Sequence, residues 1–162
     1  MKYSFRLLLL LLSFFIIAGF SACKSKTQTY ESDGGKVEVS NEGEKADITI
    51  KTEEGETFKM TVNKGQLPNG WPSEIPVISG GSIIFSQTES KSNMQQVSIE
   101  TDNSMADALN YYTEKLNAGG WGIKNSMSMP HMNMITAKKS DRELMLQIAE
   151  AEGKTHVQII IK

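Results

Sequence analysis

Ser104-Met105-Ala106-Asp107-Ala108-Leu109-Asn110-Tyr111-Tyr112-Thr113-Glu114-Lys115-Leu116-Asn117-Ala118-Gly119-Gly120-Trp121 reads as one helix with both ends marked. Ser104 is a good N-cap, and Asp107 completes a capping box with a shorter acid. Met105, Ala108, Leu109, Tyr112 and Leu116 fall at helical spacing on one face, and Asp107, Asn110, Tyr111 and Glu114 lie largely opposite. Gly119-Gly120 offers the left-handed stop. Trp121 and Ile123 then enter a strand.

Outward from this helix the period changes from 3.6 to 2. After it come Met134 to Lys139, then Leu144, Leu146 and Ile148, then Val157, Ile159 and Ile161, each an alternating strand. Ser140-Asp141 and Glu152-Gly153-Lys154 are short turns, which join antiparallel neighbours. Before it, Ile83 and Phe85 start one strand, and Val97 and Ile99 belong to the next. One apolar face per strand implies one covered face, and the helix can cover it. The expected fold is α+β: an antiparallel sheet with one helix packed on one face, in the order β-β-α-β-β-β-β.

A smaller unit precedes this domain. Val37 and Val39, then Ile48 and Ile50, then Phe58, Met60 and Val62 alternate with polar residues. Asn-Glu-Gly-Glu-Lys-Ala-Asp-Ile-Thr-Ile at 41–50 is echoed by Glu-Glu-Gly-Glu-Thr-Phe-Lys-Met-Thr-Val at 53–62, with glycine in each turn. This predicts a three-stranded meander over 36–64. Its acidic turns lack the alternating oxygen ligands of a calcium loop. Pro68, Pro72 and Pro76 then break the pattern, so 65–76 is an extended arm with Trp71 as its apolar anchor, and 77–162 is the α+β domain.

The N-terminus decides location. Lys2 and Arg6 precede an apolar or small run from Leu7 to Phe20, so 1–22 reads as a secretory signal. As a helix the run spans roughly 21 Å, short of the ~30 Å hydrocarbon core of a bilayer. Phe20-Ser21-Ala22-Cys23 resembles the lipobox of bacterial lipoproteins, with Phe20 where Leu is usual. The resemblance implies a diacylglyceryl thioether on Cys23, which becomes the new N-terminus. Cys23 is the single cysteine, so no internal disulfide can form, and lipidation would consume the thiol. The alternative, an uncleaved signal anchor with an incidental Cys23, also leaves the domain on a membrane outside the cytoplasm. Residues 23–35 read as the lipidated cysteine and a polar, flexible tether. Lys24 follows the anchor where Asp would favour inner-membrane retention in some bacteria, so cell membrane and outer membrane both stay open, with the domain facing the periplasm or cell exterior.

Removing residues 1–22 takes Lys2 and Arg6 and no acid from 17 basic and 19 acidic residues, leaving a net charge of −4. No basic patch marks a nucleic-acid partner. The expected partners are the membrane, through the N-terminal lipid, and an envelope protein.

The segment from Trp71-Pro72-Ser73-Glu74-Ile75-Pro76-Val77 through Gly80-Gly81, Thr101-Asp102, Leu109-Asn110-Tyr111-Tyr112, Leu116 and Gly119-Gly120-Trp121 resembles a small domain of unknown function in bacterial lipoproteins. The resemblance covers about 65–162. It implies a fold and no chemistry.

No G-x-S-x-G elbow, phosphate loop or H-E-x-x-H motif is present, so no catalytic residue is assigned and a non-catalytic binding or structural module is the expected function. His156 falls on the polar side of the last strand. One segment stands apart: Met127-Ser128-Met129-Pro130-His131-Met132-Asn133-Met134. In a hairpin with its tip at Pro130-His131, residue 129 faces 132 and 127 faces 134, so Met127, Met129, Met132 and Met134 share a face beside His131. Thioethers and imidazole suit Cu(I) or Ag(I), and no other cofactor is implied. The competing readings are a Met face packed into the core, since Met fills irregular gaps, and an oxidation-sensitive surface.

Overall fold

The helix forms where its caps place it. In the computed structural model, which describes residues 26–32, 35–63 and 65–162, α1 spans Met105–Ala118. Ser104 is extended, its Oγ accepts from the Asp107 N–H at 3.1 Å, and its hydroxyl donates to Asp107 Oδ2 at 2.6 Å. At the other end Gly120 takes φ +75°, and the Trp121 N–H reaches back to the Leu116 carbonyl at 2.9 Å. That left-handed turn drops Trp121 into the core, where it is buried with Ala108, Tyr112 and Leu116.

Ten strands surround this helix in sequence: β1 Lys26–Ser32, β2 Gly35–Glu42, β3 Lys45–Thr52, β4 Thr57–Val62, β5 Ser82–Glu89, β6 Met94–Thr101, β7 Gly122–Met129, β8 Met132–Lys139, β9 Arg142–Ala151 and β10 Lys154–Ile161. They form one antiparallel sheet in the order β1-β2-β3-β4-β5-β6-β10-β9-β8-β7. The protein has a mostly-β fold, with a single helix among the described residues packed on the sheet. The meander over 36–64 is therefore not a separate front unit. β4 pairs with β5, from Phe58 opposite Glu89 to Val62 opposite Phe85, and this joins it to the rest.

Two further differences concern the tether and the strand phase. Lys26–Ser32, within the stretch expected as a flexible tether, is strand β1, paired with β2 from Lys26–Asn41 to Ser32–Gly35. Its polar composition suits an edge strand, where one side of the backbone stays solvated. In β5 the register shifts between Ile83 and Phe85: Ile83 pairs with Ile99, but Phe85 pairs with Ser98. Simple alternation would put both side chains on one face. The bulge instead leaves Ile83 buried on the helix side and turns Phe85 to the opposite face, beside Val62.

The core lies between α1 and the β5–β10 half of the sheet. Val97, Ile99, Ile135, Leu144, Leu146, Ile148, Val157, Ile159 and Ile161 supply its floor. The arm adds Ile75 and Ile78, and extends to Gly81 rather than ending at Pro76. It is tied down at several points. Trp71, half-buried, donates its Nε1–H to the Ile75 carbonyl at 2.8 Å. The Tyr111 hydroxyl donates to Val77 O at 3.3 Å, and the Ile78 N–H donates to the Tyr112 oxygen at 3.3 Å. Lys139 Nζ meets Glu74 Oε1 at 2.8 Å, fixing the arm to β8.

The Lys139 ammonium donates to the Glu74 carboxylate and, with a backbone hydrogen bond, holds that carboxyl below the ordinary range. A carboxyl depressed in the folded state stabilises above its unfolded pKa, and the contribution is lost as pH falls through the folded value. The pair is partly exposed, so Lys139→Gln should cost up to about 1 kcal/mol at neutral pH. The difference from the parent should begin to shrink near about pH 4, where the unfolded carboxyl protonates, and close as pH falls through the lower folded value. Urea melts across this range check it; a gap that persists undiminished in acid contradicts the assignment.

Candidate functional site

The Met-rich segment folds as the expected hairpin. β7 and β8 are joined by the two-residue turn Pro130–His131, with Met129 opposite Met132 and Met127 opposite Met134. Neither turn residue has positive φ, which accommodates the proline. The His131 carbonyl accepts from the Glu150 N–H at 3.2 Å and pins the tip to β9. His131 itself is exposed.

The four thioethers share one face, and it is not the core face. Asn133, Ile135 and Ala137 point toward α1 and are buried. Met132 and Met134 alternate with them, are half-buried, and face the other way. Their partners Met127 and Met129 are 47% and 39% exposed. Core packing therefore does not account for this methionine pair. A bulge sets the arrangement: β7 shifts register between Ile123 and Asn125, so Ile123 stays on the core side while Met127 and Met129 turn outward. Directly opposed Cβ atoms lie about 4.5–5.5 Å apart in antiparallel pairs, within reach of flexible thioethers. Met145, opposite Thr136 and so diagonal to Met134, adds a fifth sulfur to this face. Its outward position in Leu144-Met145-Leu146 was visible in the alternation, but its nearness to the hairpin required the strand order.

His156 is on the same open face of β10, between Glu100 and Ala149 in the register, and is half-buried. It stands two strands from β8, on the far side of β9, so the sheet does not bring it to the hairpin. Cys23 lies outside the described residues.

A second feature is a groove of about 1030 Å³ on the helix side of the sheet. Its floor is β4 and β5, and its walls are the arm at 66–70 and the ends of β9 and β10. α1 does not reach this region, and the arm enters it through Leu67 and Pro68 rather than through Ile75 and Ile78. Thr61, Ser86 and Thr88 line it with hydroxyls, and Lys59, Arg142 and Lys162 add cations. Gln95 ties the wall to the floor by donating Nε2–H to the Asn69 carbonyl at 2.8 Å. The Arg142 guanidinium lies over the Trp121 ring, 5.9 Å from its centre, and so is held at the rim. Glu89 and Asp141 add carboxylates, so the lining offers hydrogen bonds and charges of both signs to a polar ligand. Nothing in sequence flagged it, because its residues come from five separated segments.

Comparison with known proteins gives one finding. The model of the START domain-like family matches residues 84–154. That span runs from within β5 through α1 to the first residue of β10, the half of the sheet that carries the core. No curated protein and no solved structure matches the chain.

Proposed function

We propose that this chain is a membrane-anchored, extracytoplasmic binding module of the cell envelope that acts without catalysis, held by lipid on Cys23. The observation supporting the binding role is the polar groove, open to solvent and lined from the arm, the meander and the C-terminal strands. The anchor rests on the basic start, the apolar run and Phe20-Ser21-Ala22-Cys23. The same reading extends the lipoprotein-domain resemblance to 65–162, which contains the matched span 84–154. Two or more acyl chains give stable membrane attachment, since each buried methylene contributes ~0.8 kcal/mol. Cys23→Ala should release the protein from membranes or stall its maturation, read by fractionation and intact mass. A variant that stays membrane-bound and is processed identically contradicts the lipid anchor. Sustained turnover of envelope substrates by the purified chain contradicts the non-catalytic role.

A second reading is favoured by the hairpin register: a Cu(I) or Ag(I) site at Met127, Met129, His131, Met132 and Met134. Its support is that two cross-strand methionine pairs share an open face next to an exposed imidazole. Soft thioethers select monovalent copper or silver over harder ions. Titrating Ag(I) into the protein with labelled Met methyl groups should shift the signals of these four methionines and leave that of Met105, on α1, in place. Absence of site-specific shifts at micromolar metal ends this reading, and Met127→Leu with Met129→Leu should abolish the shifts while keeping the fold.

A further inference from the structure

The β1–β4 part of the sheet has the reverse polarity of the rest. On the face away from α1, the register stacks Val37 and Val39 of β2 against Ile50 and Ile48 of β3, and these against Phe58 and Met60 of β4. No charged side chain interrupts that face across the three strands. The other face carries Lys36, Glu38, Asp47, Lys51 and Lys59. Among the described elements, β1 to β4 touch only their neighbours in the sheet. An apolar face of this extent, rimmed by polar residues, marks a contact site.

We infer that this face lies on the lipid bilayer to which Cys23 is fixed; the inference rests on the lipid-anchor reading above. The length of chain between anchor and sheet argues for it. β1 begins at Lys26, three residues after Cys23. Three extended residues reach about 10 Å, so the edge of the apolar face is held at the membrane surface. β1 places Gln28 and Tyr30 beside Val39 and Val37, and Tyr30, 57% exposed, is the outermost side chain of the face. Tyrosine, with an apolar ring and a polar tip, suits the headgroup boundary. Tethering this close turns even a weak attraction into an intramolecular one. The size of the face favours lipid over a second copy: four strands by six residues cover roughly 300–400 Å², under half of what one partner contributes to a stable protein interface. A mature net charge of −4 supplies no electrostatic pull, so the contact is hydrophobic and insensitive to salt.

The test uses the mature lipidated chain in phosphatidylethanolamine–phosphatidylglycerol vesicles. With Cys23 acylated, one introduced cysteine is the sole thiol for a spin label. Labels at Tyr30→Cys and Val39→Cys should show a several-fold higher ratio of oxygen to Ni(II)-chelate accessibility than a label at Glu38→Cys on the opposite face, unchanged by high salt. Tyr30 is exposed, so its replacement does not disturb the core. Equal ratios at the three sites in a lipidated, vesicle-bound chain overturn the inference and leave the anchor standing. Dipolar broadening between labels at Val39 overturns it in favour of a second copy. A chain that carries no diacylglyceryl by mass and does not float with vesicles overturns the anchor reading, and the inference with it.

Discussion

Every strand has two faces, and among the described residues this sheet has one helix. Among the strands, α1, 14 residues long, makes contact with β7 to β10 only. The arm, through Ile75 and Ile78, completes the same core against Ile83 and Ile99. Nothing among the described residues remains to cover β1 to β4 on that side. The apolar side chains of β2 to β4 lie on the other side instead, the face that the inference above sets against the bilayer. The junction is β5, where one extra residue at Ile84 turns Phe85 away from Ile83 and lines it up with Val62. The bulge thus changes which face is apolar without breaking the ladder.

This reversal organises the functional surfaces. On the helix side, the polar meander face and the edge of the core leave the groove between the arm and β4–β5. On the other side, the meander presents aliphatic and aromatic groups, and the far edge presents the Met hairpin. A second bulge in β7 does for Met127 what the first does for Phe85. One open face of the sheet therefore carries both apolar features, at opposite ends, while the groove lies behind it.

Much of the core half was legible in the sequence. Ser104, Asp107 and Gly120 carry local signals strong enough to fix α1, and the alternation in β8, β9 and β10 fixes their inner residues. The hairpin register followed from two residues at its tip. β1 was hidden because Lys26 to Ser32 is polar, as edge strands are, and its pairing partner is recognised only in three dimensions. The bulges were hidden for a different reason: one inserted residue shifts phase without changing composition, so Ile83 and Phe85 read as one face. The β4–β5 pairing spans the proline-rich arm and is non-local, which made the meander read as a separate unit. The groove depends on the β4–β5 pairing and on the phase of β5 after its bulge, which turns Ser86 and Thr88 into it.

With β1 taking up most of the tether, the proposed lipid on Cys23 would leave the sheet little freedom to stand away from the bilayer. Neutron reflectometry on a supported bilayer carrying the lipidated chain measures this directly. The account predicts a protein layer that begins at the headgroups, with no hydrated gap. A water-rich gap of roughly 20 Å, the reach of a flexible 12-residue linker, would contradict it.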